Sequence, residues 1–169
     1  MNFTFSLANE SDLESVHSLI RNCANALLAS GLKQWDETYP DKNILLNDIK
    51  NKTLHCCKLN DEIAAVVVAN RIQDKEYEAV NWKDKSNNFA VIHRLAVNPK
   101  MQRMGIGRKL MKHIEEYAKS EKINSIRLDT FSLNPASIQF YKDLDYTELE
   151  HIHLPYQPEL FICFEKIID

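Results

Sequence analysis

The chain has 169 residues, of which 44% are apolar and 27% charged, and carries a formal net charge of −3. That length suits a single domain with a sizeable core. The negative balance argues against a general nucleic-acid binder, and no apolar run approaches the roughly 18 residues that mark a membrane span.

Phe3–Leu7 alternates apolar and polar residues and predicts a short first strand. Leu13, Val16, Leu19, Ile20, Cys23, Ala24 and Leu27 then recur at three and four, the period of an amphipathic helix. Ser11 and Asp12 can serve near its N-cap and Gly31 supplies a stop. A polar linker around Trp35, Tyr39 and Pro40 leads to a short helix using Ile44, Leu45, Asp48 and Ile49. Thr53–Leu59 and Glu62–Arg71 read as two strands joined by a tight Asn60-Asp61 turn.

Gln73–Asn88 is polar, with Tyr77, Val80 and Trp82 embedded, and suits the long end of a hairpin. Phe89–Val97 is the best candidate for a buried strand, and Ile106–Ser120 follows as a helix with Leu110, Met111, Ile114, Tyr117 and Ala118 on one face. Ser125–Thr130 predicts a strand and Pro135–Leu144 a helix opened by Asn134. Tyr146–Leu149 and Leu160–Lys166 complete the chain as strands. Strands that alternate with helices in the middle and pair at the ends make one mixed α/β sheet, without repeats or an evident linker.

The chain has only three glycines, and two of them, Gly105 and Gly107, stand against the start of the helix at Ile106. A helix N-terminus presents unpaired N–H groups and about half a unit of positive charge, which favours an anion. Glycine removes the Cβ atoms that would hold a phosphate off the backbone. Lys100, Arg103, Arg108, Lys109 and Lys112 crowd the same stretch with no acidic residue among them. The plainer reading is a turn eased by glycine beside a solvated basic face. No Walker string G-x-x-x-x-G-K-[ST] is present, which counts against a phosphoryl-transfer enzyme. The dinucleotide pattern G-x-G-x-x-G fails at Leu110.

Gln102-Arg103-Met104-Gly105-Ile106-Gly107 matches Q/R-x-x-G-x-G/A, and "HRLAVNPKMQRMGIGRKLM" resembles the strand–loop–helix segment of the GCN5-related N-acetyltransferases (GNAT). "RLDTFSLNPASIQFYKDLDY" is similar to that family's later strand and helix, while "WDETYP" and "FICFEK" resemble a bacterial subgroup acting on small substrates. The resemblance covers essentially the whole chain. It implies one N-acetyltransferase domain over residues 1–169, a mostly antiparallel sheet of six to seven strands, about four helices, and a central parallel pair (Phe89–Val97 and Ser125–Thr130) that splays apart. One departure is Asp145, where the family usually ends the helix with a glycine; Asp tolerates the left-handed conformation better than most residues.

Residue by residue, the resemblance implies that amides within Gln102, Arg103, Met104, Gly105, Ile106, Gly107 and Arg108 hold the pyrophosphate of acetyl-coenzyme A. The backbone of Leu95, Ala96 and Val97 would bind the pantetheine arm, with Asn134 and Phe140 on its far side. An N–H near Val97 would receive the developing oxyanion. Tyr141 would protonate the departing thiolate as a neutral phenol; the alternative is a packed aromatic. His93 can accept a proton near neutral pH, although a lone strand histidine is more often structural. Strand alternation puts it on one face with Leu95 and Val97, away from Arg94. Glu76, Glu78, Asp129 and a water relay are the other candidate bases.

Trp35 and Tyr39 lie in the linker that the family often uses to line the acceptor pocket, or they anchor that linker. Residues 1–50 hold seven acidic and four basic side chains, which weakly favours a cationic amine. The expected function is acetyl transfer from acetyl-coenzyme A to a primary amine of a small molecule or peptide. No metal, nucleic acid or membrane is involved in that reading, and the chain acts as a monomer or homodimer. A non-catalytic acyl-coenzyme A sensor is the alternative. The N-terminus has no basic region ahead of an apolar stretch, so no secretory signal is expected. Cys23, Cys56, Cys57 and Cys163 lack the C-x-x-C spacing of a zinc or disulfide framework and read as idle thiols in the cytoplasm.

Overall fold

The computed structural model describes residues 2–36 and 38–169. In chain order the elements are β1 (Phe3–Leu7), α1 (Leu13–Ala29), α2 (Lys42–Lys50), β2 (Leu54–Leu59), β3 (Glu62–Asn70), β4 (Phe89–Val97), α3 (Ile106–Ser120), β5 (Ser125–Phe131), α4 (Pro135–Lys142), β6 (Thr147–His153) and β7 (Leu160–Ile167). The sheet has seven strands in the order β1-β2-β3-β4-β5-β7-β6. It is mostly antiparallel, with β4 and β5 as its parallel pair; their register runs from Phe89 opposite Ser125 to Val91 opposite Arg127. Among the described residues no helix is long and apolar enough to cross a membrane.

The chain divides into two compact units, Met1–Ala69 with His93–Ile114, and Asn70–Ile92 with Glu115–Asp169. In the first, α1 lays Val16, Leu19, Ile20 and Cys23 onto Leu54, Val66 and Val68 of the sheet, with Leu45 and Ile49 of α2 closing the same core. Asp12 stands at the N-cap position of α1 as expected but makes no side-chain cap to the helix itself, and the bonds that fix the entry run between Asn9, Ser11 and Asp12. Asn9 accepts from the Ser11 amide at 3.0 Å, and Asp12 returns a bond to the Asn9 amide at 3.0 Å, a reciprocal capping box one turn ahead of the helix. The turn at Asn60-Asp61 forms as expected, both residues having positive φ (51° and 68°). Ile63 to Ala69 of β3 are buried without interruption, so the longest buried run lies in β3 and not in β4.

In the second unit β5 is paired along its whole length with β7, and β6 covers the outer side of β7. The segment Gln73–Asn88 is not a hairpin. Tyr77 and Trp82, with ring centroids 5.1 Å apart, turn inward from a short 3-10 turn at Lys75–Ala79, and the Trp82 indole donates to the Tyr77 carbonyl at 2.9 Å. Glu165, fully enclosed on β7, then accepts from the Lys83 and Asp84 amides and clamps the rest of the segment. Its apolar residues are spaced to fold inward around a turn, which strict alternation along a strand would not allow.

Candidate active site

Two left-handed residues shape the loop between β4 and α3. After a 3-10 turn at Pro99–Met101, Arg103 takes φ 63° and Gly105 takes φ 75°. The Gly105 carbonyl accepts the first bond of α3, from the Lys109 amide at 3.1 Å, so the Ile106 and Gly107 amides precede any intrahelical acceptor. Gln102, Arg103, Met104, Gly105 and Arg108 are exposed, while Ile106 is only 1% exposed and pins the helix start to the core. A Cβ built on Gly105 would meet no protein atom within 4 Å, leaving open space over the backbone. Gly107 lies within the first turn of α3, so the two glycines differ in kind: Gly105 sets the backbone hand and Gly107 keeps the helix surface bare. Of the five local cations, Lys109 already sits 5.4 Å above the Phe3 ring.

Upstream, Leu95 and Val97 are half-buried and Ala96 is buried. The Val97 carbonyl accepts from the Cys23 thiol at 3.2 Å, and the following Asn98 amide donates to the Ala64 carbonyl at 2.9 Å. Burial pushes the Cys23 thiol up to about 11, so it stays a neutral donor.

In the second unit Asn134 caps α4: its side chain accepts from the Ser137 amide at 3.1 Å, and Pro135 takes the first helical position. Tyr141 is 6% exposed, ringed by Phe140 (5.2 Å between centroids), Phe164 (5.8 Å) and Tyr146 (5.9 Å). Burial, with the Asp129 charge adding to it, drives its phenol well above the ordinary tyrosine range, so Tyr141 is neutral at any physiological pH. Asp145 closes the helix at φ 64°, the left-handed position expected of it.

The sequence profile of the acetyltransferase (GNAT) family matches residues 14–146. The chain belongs to that family. A curated relative, an uncharacterized N-acetyltransferase of Bacillus subtilis named YesJ, is 26% identical over 138 residues, covering 80% of this chain and 76% of the relative. A GNAT-family acetyltransferase structure from Streptococcus agalactiae shares the fold at a TM-score of 0.87 and 18% identity, covering 99% of this chain and 96% of that one. The PaiA N-acetyltransferase of Thermoplasma acidophilum, solved with coenzyme A, superposes at 0.76 and 19% identity over 99% of both chains. The protein is thus an acetyl-coenzyme A-dependent N-acetyltransferase.

In this GNAT chain His93, Trp35 and Tyr39 lie in the first unit, and the other candidate bases, Glu76, Glu78 and Asp129, in the second. His93 is half-buried in β4. The alternation expected to carry from His93 to Val97 is broken at the next residue, because Arg94 has φ 55° and interrupts the extended backbone. Its guanidinium forms a two-pronged pair with Asp48 of α2 (Nε to Oδ2 3.0 Å, Nη2 to Oδ1 2.9 Å) and donates to the Tyr39 hydroxyl at 2.7 Å. Burial raises the Asp48 carboxyl, and Arg94 offsets only part of that. Tyr39 therefore ties the α1–α2 linker to β4, and Arg21 reinforces the tie by donating to the carbonyls of Asp36 and Tyr39. Trp35 packs on the core below α1 and lines a groove of about 370 Å³ with Arg21, Ala24, Asn25 and Leu28. Asp48 sat among apolar helix positions in the sequence, which was the one available sign of a buried partner for Arg94.

Proposed function

We propose that the protein moves the acetyl group of acetyl-coenzyme A directly onto a primary amine of a small molecule or peptide, its two compact units acting as one catalytic domain. The carrying observation is the loop ahead of α3. It combines two left-handed residues, exposed backbone amides, open space over Gly105 and a purely basic local charge. These features suit a pyrophosphate seated on the helix N-terminus. The residues from Gln102 to Arg108 are assigned to that anion, and the backbone of Leu95, Ala96 and Val97, with Asn134 and Phe140, to the pantetheine arm.

Acetyl-coenzyme A brings the activated thioester; this chain supplies the proton for the leaving sulfur. Tyr141 is assigned that role as an enclosed phenol that holds its proton at physiological pH, and a thiolate generated in the same water-poor surroundings is itself made more basic by desolvation. General acid catalysis of this kind is worth about 10²–10⁴-fold. His93 remains a candidate proton acceptor, and Trp35 and Tyr39 are assigned to the acceptor side.

A panel of primary amines, assayed for acetyl-coenzyme A-dependent thiol release, tests the function. Release with one amine class supports it; tight coenzyme A binding with no release from any amine favours a sensor. Tyr141→Phe keeps the ring packing and removes only the hydroxyl. Its expected effect is a loss of kcat in the range above with coenzyme A affinity unchanged, and an undiminished kcat removes Tyr141 from the chemistry.

A further inference from the structure

Asp129 is the ionisable side chain of the second unit whose surroundings are hardest to explain by folding alone. It sits half-buried on β5, opposite Cys163 of β7, two residues beyond the last β4–β5 pair at Arg127. The Tyr77 hydroxyl donates to its Oδ1 at 2.6 Å. Among the described residues no cationic side chain pairs with it. The contrast is close at hand, since Arg127, two residues earlier on the same strand, faces Glu165 at 3.6 Å and is flanked by the rings of Trp82 and Phe89. A carboxylate taken partly out of water without a counter-cation costs stability. Such a cost persists where a function needs it.

The position on the strand matters as much as the surroundings. Thr130 turns toward α4, where its hydroxyl lies 2.6 Å from that of Ser137. Side chains alternate along a strand, so Asp129 projects to the other face, toward the turn that carries Tyr77. Tyr141, on α4, belongs to the first face. The Asp129 charge nonetheless acts on the Tyr141 phenol, so a carboxylate and a neutral phenol share one neighbourhood, as a transfer requires in which a single carbon gains the amine and loses the thiol.

Resting on the acetyl-transfer reading, we propose that Asp129 binds the acceptor's ammonium group and takes its proton, with Tyr77 as the residue that positions the carboxylate. The ammonium supplies the missing cation. Its proton passes to Asp129, and the nitrogen lone pair forms the C–N bond to the acetyl carbonyl carbon. The C–S bond breaks with its electron pair on sulfur, and the thiolate takes the Tyr141 proton. The second proton lost by nitrogen restores the phenol, and Asp129 releases the first to solvent. The balance is one ammonium and one thioester giving one amide, one thiol and one proton.

The groups around Asp129 define its titration. Tyr77 faces it from the 3-10 turn, Asp74 from the residue before that turn and Cys163 from β7, while the Tyr141 phenol on α4 feels its charge. Burial is the main influence and raises the carboxyl to about 6, with Asp74 adding to the rise and the Tyr77 bond opposing it.

The test compares wild type, Asp129→Asn and Tyr77→Phe by thiol release across pH 5–9 (roughly the span that brackets a carboxyl raised as far as 6), using spermidine, lysine amide and a short peptide with a free α-amine as probes. Calorimetric coenzyme A titration and thermal melts accompany it. The expected result for Asp129→Asn is a loss of kcat/KM of about 10²-fold or more, disappearance of the wild-type acidic limb near pH 6, and unchanged coenzyme A affinity. Its melting midpoint at pH 7.5 (about one and a half units above that limb) should equal or exceed wild type, because an uncompensated charge has been removed. Tyr77→Phe should lower the plateau rate less than Asp129→Asn does and move the acidic limb to higher pH. An active wild type with an unchanged Asp129→Asn profile overturns the inference, as does lost activity accompanied by a lowered midpoint, the signature of a structural carboxylate. A wild type that transfers to none of the probes counts against the primary-amine acceptor of the proposed function, and against this inference with it.

Discussion

Gly105 shows how one residue links backbone geometry to binding. At φ 75° an L-residue pays about 1–2 kcal/mol, and a Cβ there would meet nothing of the protein within 4 Å. The protein itself therefore demands the left-handed backbone but leaves the space above it empty. Gly105→Val should lower stability through backbone strain alone, by about 2 kcal/mol, because a β-branched residue is among the worst suited to that region. It should weaken coenzyme A binding at least tenfold, about 1.4 kcal/mol, because the added methyl groups fill the space assigned to phosphate. Calorimetry and thermal melts on the same protein separate the two, and strain with undiminished coenzyme A affinity would count against the assignment. The glycine pair was legible as sequence, but its division of labour was not, since the handedness of a single residue leaves no periodic signal. Arg94 makes the same point more strongly: nothing about an arginine inside "FAVIHRLAV" announces φ 55° or a partner in α2.

At the scale of elements, the four helices share one ending. Leu32 reaches back to Leu27, Thr53 to Asp48, Ile123 to Ala118 and Tyr146 to Tyr141, each amide bonding the carbonyl five residues earlier. The residues just before them, Gly31, Lys52, Lys122 and Asp145, have φ of 84°, 57°, 57° and 64°. These are Schellman endings, and glycine fills just one. The apolar period of α3 and its glycine-marked start gave both its ends to the residue, whereas β6 runs Thr147–His153, well past the expected Leu149. As an edge strand with a register shift between Glu148 and His151, it exposes most of its side chains and offers no apolar alternation to read. The non-glycine helix ends imply untapped stability. Lys122→Gly should relieve about 1–2 kcal/mol of left-handed strain and lose about 0.5–1 kcal/mol to the freer unfolded chain. The net is a gain of up to about 1.5 kcal/mol, or a melting midpoint raised by up to roughly 6 °C. Glu116→Gly, on the exposed face inside the same helix, should instead cost about 1 kcal/mol. A midpoint that falls for both variants would show that Lys122 contributes more than its backbone.

Over the whole molecule the family match crosses both compact units, since residues 14–146 take in parts of each. The cysteines are spread in the same way, Cys23, Cys56 and Cys57 in one unit and Cys163 in the other, and all are buried with free thiols. The absence of paired spacing made idle thiols legible in the sequence. The neutral Cys23 donor to the Val97 carbonyl was not, because it joins residues 74 apart in the chain. Desolvation raises every one of these thiols, to about 11 for Cys23 and Cys57, and it also raises Cys56 and Cys163. Only the thiolate attacks a disulfide reagent. At pH 8, a little below the ordinary thiol pKa of about 8.5, a thiol raised to about 11 ionises roughly 10²-fold less than a free one. Burial blocks access on top of that. An aromatic disulfide reagent should therefore label the folded protein at least about 10²-fold more slowly than the denatured chain, in which all four cysteines titrate. Because labelling then requires opening, its rate should follow unfolding as denaturant is added, in both units. A fast-reacting thiol in the folded state would place a cysteine at an accessible surface. It would also raise the background of the thiol-release assay on which the functional test depends.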